Sequence, residues 1–204
     1  MNEILPGVFH WTTFHEGIQS EVHSCLVTAT DPAVLIDPRE PVEGMDWFRN
    51  HGPPVHAYLT NRHHYRHSDR FAREFGTLVW CHREGLHEFG PDRKVRSFEH
   101  GEVLPGPVTA LEVGVLCPEE TALLIPAEGG IVALGDAVIG TGKGLGFVPD
   151  FLMGDDPGAV KRGLRKALAR LLELDFRHLL LAHGEPLVGD GRDALRRFLN
   201  DSGS

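Results

Sequence analysis

The sequence predicts an α/β fold in which many short strands alternate with a few helices. Runs rich in β-branched and large apolar residues have the length of buried strands, and they lie at residues 22–27, 33–36, 55–60, 77–81, 109–113, 121–125, 131–134 and 178–182. Helical spacing is clearest after Asp156 and Pro157, an N-cap residue and a first-turn proline, where Val160, Leu164 and Leu168 share one stripe. These two patterns together place the chain in the α/β class.

The length of 204 residues fits a single domain spanning residues 1–204. Shorter helices are predicted at 68–75, where Gly76 ends the helix, and at 193–199. The glycine-rich stretch 140–146 lacks the Gly-Lys-Ser/Thr ending of a phosphate loop, so we expect a mobile surface loop there. Residues 200–204 are expected to form a disordered tail.

Composition excludes several classes of function. No apolar run approaches the roughly 18 residues that span a membrane, and a net charge of −9 argues against nucleic acid as a partner. The three cysteines lack CxxC spacing, and the first residues lack the pattern of a secretion signal, so we expect a reduced, cytoplasmic protein without a membrane partner. Thirteen histidines supply a surplus of side chains that bind metal.

Four apolar runs end in a residue that binds metal or forms strong hydrogen bonds. They are VLID, YLTN, VALGD and LLLAH, which end at Asp37, Asn61, Asp136 and His183. Each ending alone is ordinary turn chemistry. Sites of α/β proteins gather where strands meet loops, and a histidine-rich segment follows Asn61, so the four endings together predict a functional site at one edge of the sheets.

The order of these motifs resembles the metallo-β-lactamase superfamily of metal-dependent hydrolases along nearly the whole chain. The resemblance begins with LPGVFHW, continues through VLIDP, the Leu-Thr pair before the histidine-rich loop and LGD, and closes with LLAHGEP. It implies a four-layer αββα sandwich, with two mixed β-sheets packed face to face, helices outside, and metals at one edge of the sheets.

The histidine motif departs from the family pattern, His-x-His-x-Asp-His. With Leu59 and Thr60 in register, the first histidine is replaced by Asn61 and the second is kept as His63, while Tyr65 and Arg66 replace the aspartate and the last histidine. The later Gly-His of the family falls near Leu116, where this chain has no histidine. Asp136 and His183 match the family's bridging aspartate and closing histidine.

The resemblance therefore leaves His63, Asp136 and His183 as candidate catalytic residues and metal ligands. Three ligands do not balance two divalent ions, so we expect no dinuclear centre and at most one zinc, iron or manganese ion per chain. Two histidines and a carboxylate also suit non-haem iron. His64 and His67 either add donors to this site or lie on the outer side of the loop and the first turn of the next helix, and Tyr65 is a weaker candidate ligand.

In a second hypothesis, the Arg66 guanidinium replaces the metal ion as the positive charge beside Asp136. Its guanidinium is permanently charged, so pairing with Asp136 would neutralise the carboxylate without any metal; alternatively Arg66 points to solvent. By resemblance, Asp37 is a supporting carboxylate that accepts a hydrogen bond from a ligand histidine or a backbone N–H, or it simply starts a turn. His23 either faces the same pocket or is an ordinary core histidine.

The sequence thus leaves two functions open. The first is a metal-dependent hydrolase with a degenerate site, acting on a small molecule such as an ester or thioester. The second is a metal-free pseudoenzyme that binds a small molecule in the same edge pocket, so whether the chain is an enzyme stays open. The substrate and the oligomeric state are not indicated by the sequence.

Overall fold

The computed structural model describes residues 1–201, and its architecture rests on two mixed β-sheets. The strands are β1 (Asn2–Leu5), β2 (Val8–His15), β3 (Ser20–Val27), β4 (Val34–Ile36), β5 (His56–Tyr58), β6 (Leu78–His82), β7 (Val95–Phe98), β8 (Val103–Leu104), β9 (Val108–Glu112), β10 (Thr121–Ile125), β11 (Ile131–Leu134), β12 (Ile139–Thr141), β13 (Gly144–Gly146) and β14 (His178–Leu181). The helices are α1 (Asp46–His51), α2 (Ser68–Phe75), α3 (Pro157–Leu171) and α4 (Gly191–Asn200), and short 3-10 turns lie at Arg62–Tyr65, Arg83–Glu88 and Asp150–Leu152.

The first sheet has seven strands in the order β1-β2-β3-β4-β5-β6-β7. Its first four strands run antiparallel, and β4 to β7 run parallel. The second sheet has five strands in the order β14-β11-β10-β9-β8, of which only β14 and β11 are parallel neighbours. Both sheets are therefore mixed, as the family resemblance implies.

Three layers of apolar contacts hold the architecture together. Between the sheets, side chains such as Val27 and Tyr58 pack against Leu123 and Leu180 of the other sheet. The outer face of the first sheet is covered by α1 and α2, and α3 and α4 cover the outer face of the second. Strands such as β4, β11 and β14 are buried on both faces, so they read as continuous apolar runs rather than alternating ones. The predicted four-layer sandwich is confirmed.

Most predicted elements are present, and three expectations need correction. The stretch 140–146 belongs to the hairpin of β12 and β13 instead of an irregular loop. Strands β1, β2, β7 and β8 and helix α1 are additional to the predicted elements. Asn200 is the last residue of α4, so the predicted tail starts too early; residues 202–204 of that tail lie outside the described residues. None of the described helices is long and apolar enough to cross a bilayer.

The topology brings the four polar strand endings to one edge. Strands β4 and β5 are parallel neighbours in the first sheet, and β11 and β14 are parallel neighbours in the second. Parallel strands have their carboxyl ends at the same edge, so the residues that follow them share one region. Backbone hydrogen bonds also join the sheets there, since the Thr121 N–H donates to the Thr60 carbonyl oxygen at 2.8 Å.

Candidate functional site

The turn after β5 decides which histidine points into the molecule. Asn61 has extended backbone angles and caps the 3-10 turn, because its Oδ1 accepts a hydrogen bond from the His63 N–H at 2.9 Å. The turn therefore starts immediately, and successive side chains leave it in different directions. His63 is exposed, whereas His64 is buried with 4% of its surface accessible.

The structure brings His64, Asp136 and His183 together. The Asp136 Oδ1 lies 3.4 Å from the His64 Nε2 and 3.3 Å from the His183 Nε2, and one ligand atom from each residue lies within 4.8 Å of the other two. His63 was expected in this group; it lines the same cavity but does not belong to this cluster. His64 occupies the position that was predicted for His63, because the Asn61 cap turns His63 outward.

Asp37 holds the His64 ring in place. Its carboxylate accepts hydrogen bonds from the Thr60 N–H at 2.8 Å and the Thr60 hydroxyl at 2.7 Å, and lies 3.0 Å from the His64 Nδ1. Burial by itself lowers the pKa of His64, but the carboxylates of Asp37 and Asp136 outweigh it and raise that pKa to about 9. Asp37 thus orients the ring so that Nε2 faces Asp136.

Asn61 joins Asp136 to a buried glutamate. The Asn61 Nδ2 donates to the Asp136 Oδ2 at 2.9 Å and to the Glu120 Oε2 at 3.0 Å. Burial raises the pKa of Glu120 to about 8, and the nearby Asp136 carboxylate adds to this rise. Burial also opposes ionisation of Asp136, but His64 and the hydrogen bond from His183 hold its pKa well below the usual range.

Sequence reasoning missed Glu120. It lies four residues after Leu116, in the segment where the resemblance places the family's later histidine. The available signal was the acidic pair directly before the apolar run at 121–125, because a carboxylate at the start of a buried strand requires a partner. Leu116 itself lines the cavity.

Arg66 points inward, but it does not pair with Asp136. Its Nη1 donates to the carbonyl oxygens of His23 at 2.6 Å and Asp37 at 2.8 Å, and its Nη2 donates to that of Ala182 at 3.3 Å. No Arg66 ion pair with Asp136 occurs among the described residues. The hypothesis of a direct Arg66–Asp136 pair is therefore wrong, because the guanidinium is held by backbone carbonyl oxygens of three separate segments, one inside β3 and two just after β4 and β14.

Three further candidates lie away from the histidine and aspartate cluster. Tyr65 packs in the helix-side core, with its ring 5.5 Å from that of Phe89. The His67 Nδ1 accepts a hydrogen bond from the Glu40 N–H at 3.1 Å and does not line the cavity. His23 lines the cavity, and its Nδ1 lies 2.9 Å from the Nε2 of His10, a buried partner absent from the sequence-based set.

A cavity of about 980 Å³ opens above the cluster. Its lining includes His64, Asp136 and His183, and because His183 and Asp136 are only partly buried, the cluster faces solvent through the cavity. The donor spacing suits a metal: bonds of about 2.0–2.1 Å at tetrahedral angles place neighbouring donors roughly 3.3 Å apart. The two distances to the Asp136 Oδ1 agree with this value.

Comparison with known proteins identifies the fold. No family model matches the chain, and no curated protein matches it. Among solved structures, a metallo-β-lactamase family protein from Thermus thermophilus is 17% identical with a TM-score of 0.66, covering 97% of this chain and 79% of that one. The protein TTHA1623, crystallised in a di-iron-bound form, is 24% identical with a TM-score of 0.66, covering 87% and 94%.

A third similar structure is a B3 metallo-β-lactamase with an active-site glutamic acid. It is 18% identical with a TM-score of 0.60, covering 87% of this chain and 82% of that one. At these identities the likeness concerns the fold, and the chain has the metallo-β-lactamase fold.

Proposed function

We propose that this chain, which has the metallo-β-lactamase fold, is a divergent member of that superfamily and a hydrolase that uses one metal ion. The observation that carries this proposal is the convergence of His64, Asp136 and His183 at the sheet edge. Two histidines and a carboxylate form a ligand set for zinc, iron or manganese that leaves positions for water and substrate.

One ion fits this site better than two. The family resemblance places the ligands of a second ion at positions 65 and 66. Tyr65 packs in the core, and the Arg66 guanidinium binds backbone carbonyl oxygens beside the cluster. A permanent positive charge there repels a second divalent cation. Asn61 replaces a histidine that would bind metal in the family, and its amide N–H donates to Asp136 instead. The ligand set is therefore mononuclear.

The metal would act as a Lewis acid and lower the pKa of a bound water. The chain's own residues prepare the site in three ways. Asp37 fixes the His64 ring through its Nδ1, so that Nε2 faces the cluster. Asn61 engages the Asp136 Oδ2 and leaves Oδ1 directed at the two histidines. The cavity gives a small substrate access to all three.

A metal-free binding protein is the second candidate, and one observation favours it. Asp136 has hydrogen-bonding or charged partners in Asn61, His64 and His183, and the raised pKa of about 9 keeps His64 protonated at neutral pH. These groups balance the carboxylate without an ion. The same cavity would then bind a small molecule without hydrolysing it.

Elemental analysis of protein purified without chelator tests the proposal. We expect about one equivalent of zinc, iron or manganese, its loss in His183→Ala, and ester or thioester hydrolysis that disappears with the metal. His63→Ala is the matched control, since its exposed imidazole lies outside the cluster, and it should keep both metal and activity. Two equivalents that both depend on His183 would contradict the single-ion site. No metal, together with no hydrolysis after reconstitution, would favour the binding protein.

A further inference from the structure

A second group of side chains that can bind metal lies between the two sheets. His10 belongs to β2 and His23 to β3 of the first sheet, whereas Glu185 follows β14 of the second sheet. One ligand atom from each of the three lies within 4.8 Å of the other two. The group shares no residue with the cluster around Asp136, so the proposed function does not account for it.

The two histidines stand on the inner face of the first sheet. Thr12 lies opposite His23 in the register of β2 and β3, so His10, two residues earlier, is the diagonal neighbour of His23 on the same face. Val8 and Cys25 share this face and belong to the core between the sheets. Two imidazoles that are 4% and 5% exposed therefore lie in an apolar layer, where polar groups require partners.

The two imidazoles already face each other at nearly the spacing of metal ligands. The His10 Nε2 lies 2.9 Å from the His23 Nδ1, and the rings are nearly parallel with centroids 5.1 Å apart. Burial lowers the pKa of each ring to about 4, so both are neutral at pH 7 and keep a nitrogen lone pair that can bind metal. Neighbouring donors around a tetrahedral ion are roughly 3.3 Å apart, so a small separation of the rings admits an ion.

Glu185 supplies the negative charge. Its side chain is exposed and forms no hydrogen bond or ion pair among the described residues, so it can rotate toward the imidazoles. The loop that carries it is fixed, because the Gly140 N–H donates to the His183 carbonyl oxygen at 2.7 Å. At Gly184, with a φ of 131°, a Cβ would lie 2.6 Å from the Gly140 backbone. One tightly packed loop thus carries His183 for the first cluster and Glu185 for the second.

We propose that His10, His23 and Glu185 form a second metal site, which binds one zinc ion and links the two sheets. Two neutral imidazoles and one carboxylate suit zinc, whereas magnesium prefers a shell made of oxygen ligands. This ion is additional to the one proposed above, and the site does not depend on the hydrolase function. Because one ligand is an exposed carboxylate, the ion exchanges with solvent and the site fills when zinc is supplied.

A zinc titration of a variant that lacks the first cluster tests this site. His64→Gln removes a ligand of that cluster without touching the Glu185 loop, and Asp136→Asn provides a second background. Calorimetry should find about one equivalent of zinc in either background. Zinc at about 100 times its dissociation constant should raise Tm by roughly 5–10 °C, and magnesium at the same concentration should have no effect.

A substitution at Glu185 locates the bound zinc. Added to either background, Glu185→Gln should raise the zinc dissociation constant at least about tenfold and remove most of the Tm shift. The side chain is exposed, so the fold should tolerate the change. Glu102→Gln is the matched control, because Glu102 is an exposed glutamate outside both clusters, and it should change neither quantity.

Imidazole NMR signals identify the ligands directly. Zinc should shift the ring signals of His10 and His23 and leave unchanged those of His82 and His100, the other closely stacked histidine pair. The inference is wrong if neither background binds zinc, if Glu185→Gln and Glu102→Gln bind it equally, or if His82 and His100 respond instead. Zinc bound here in a protein without metal-dependent hydrolysis would support this site and count against the hydrolase proposal alone.

Discussion

Arg66 donates a hydrogen bond from Nη2 to the carbonyl oxygen of Ala182, the residue before His183, at 3.3 Å. Its Nη1 binds the carbonyl oxygens of His23 and Asp37, which lie in and after strands of the other sheet. One buried guanidinium thereby joins the two sheets at the site. Arg66 also has a φ of 45°, a conformation that costs a non-glycine residue free energy and persists here because its contacts hold it.

Replacing Arg66 should destabilise the fold. Arg66→Ala removes three charge-assisted hydrogen bonds and leaves the carbonyl oxygens of Asp37 and Ala182 with the Ser24 hydroxyl and the His23 N–H as donors. We expect the free energy of unfolding to fall by about 2–4 kcal/mol in urea denaturation. Arg73→Ala is the control, because Arg73 is exposed and forms a surface ion pair with Asp69 one turn earlier in α2, and it should cost less than about 0.5 kcal/mol. Equal losses of stability in the two variants would show that the hydrogen bonds of Arg66 to the two sheets do not stabilise the fold.

Asp37 should control metal affinity without binding the metal. Asp37→Asn removes the carboxylate that faces the His64 Nδ1, so the ring is less well oriented and less basic. We expect the metal dissociation constant to rise about 10- to 100-fold in a competition titration with a chelator. Asp69→Asn changes a half-buried carboxylate outside the cluster and should leave the dissociation constant unchanged. An unaltered constant in Asp37→Asn would mean that His64 is not a ligand.

Asn61 should be intolerant of a negative charge. Asn61→Asp replaces the amide N–H groups that Asp136 and Glu120 share with a carboxylate that repels Asp136 in a buried setting, while Glu120 stays largely protonated at pH 7 because its pKa is about 8. We expect a loss of about 3 kcal/mol or more at pH 7. Because protonation relieves the repulsion, the loss should shrink in acid. A pH-independent loss would point to packing instead of charge.

Protein whose metal has been removed with a chelator should become less stable as the pH rises above neutral. The pKa of His64 lies near 9 in the folded state, against 6.5 as its ordinary value. The stability it contributes is therefore complete below pH 6.5 and is lost as pH passes 9. Glu120, with a pKa raised to about 8, acts in the same direction.

Urea denaturation at several pH values measures this loss, which we expect to total roughly 2–4 kcal/mol. His64→Gln should make the dependence shallower by about one proton. At the acid end, the lowered pKa values of Asp37 and Asp136 predict the opposite trend, a loss of stability as pH falls through their folded values. Stability that increases between neutral and alkaline pH would contradict the assigned protonation of His64.

The sequence by itself determined the architecture and the edge on which the site lies. Short apolar runs and the capped helix α3 predicted the α/β class, because hydrophobic periodicity and turn chemistry are local properties. The two-sheet sandwich was predicted from the family resemblance that the order of motifs carries. The polar endings at Asp37, Asn61, Asp136 and His183 marked the strand ends, and the topology of parallel neighbours brings them together.

Only the tertiary structure decided which side chains meet. His63 and His64 are adjacent in sequence. The single hydrogen bond by which Asn61 caps the turn directs His63 outward and His64 toward Asp136. Arg66 binds backbone carbonyl oxygens from three distant segments, and Glu120 contacts Asn61 across 59 positions of sequence. Side-chain direction in an irregular turn depends on partners far along the chain, so the sequence pattern of the turn did not contain it.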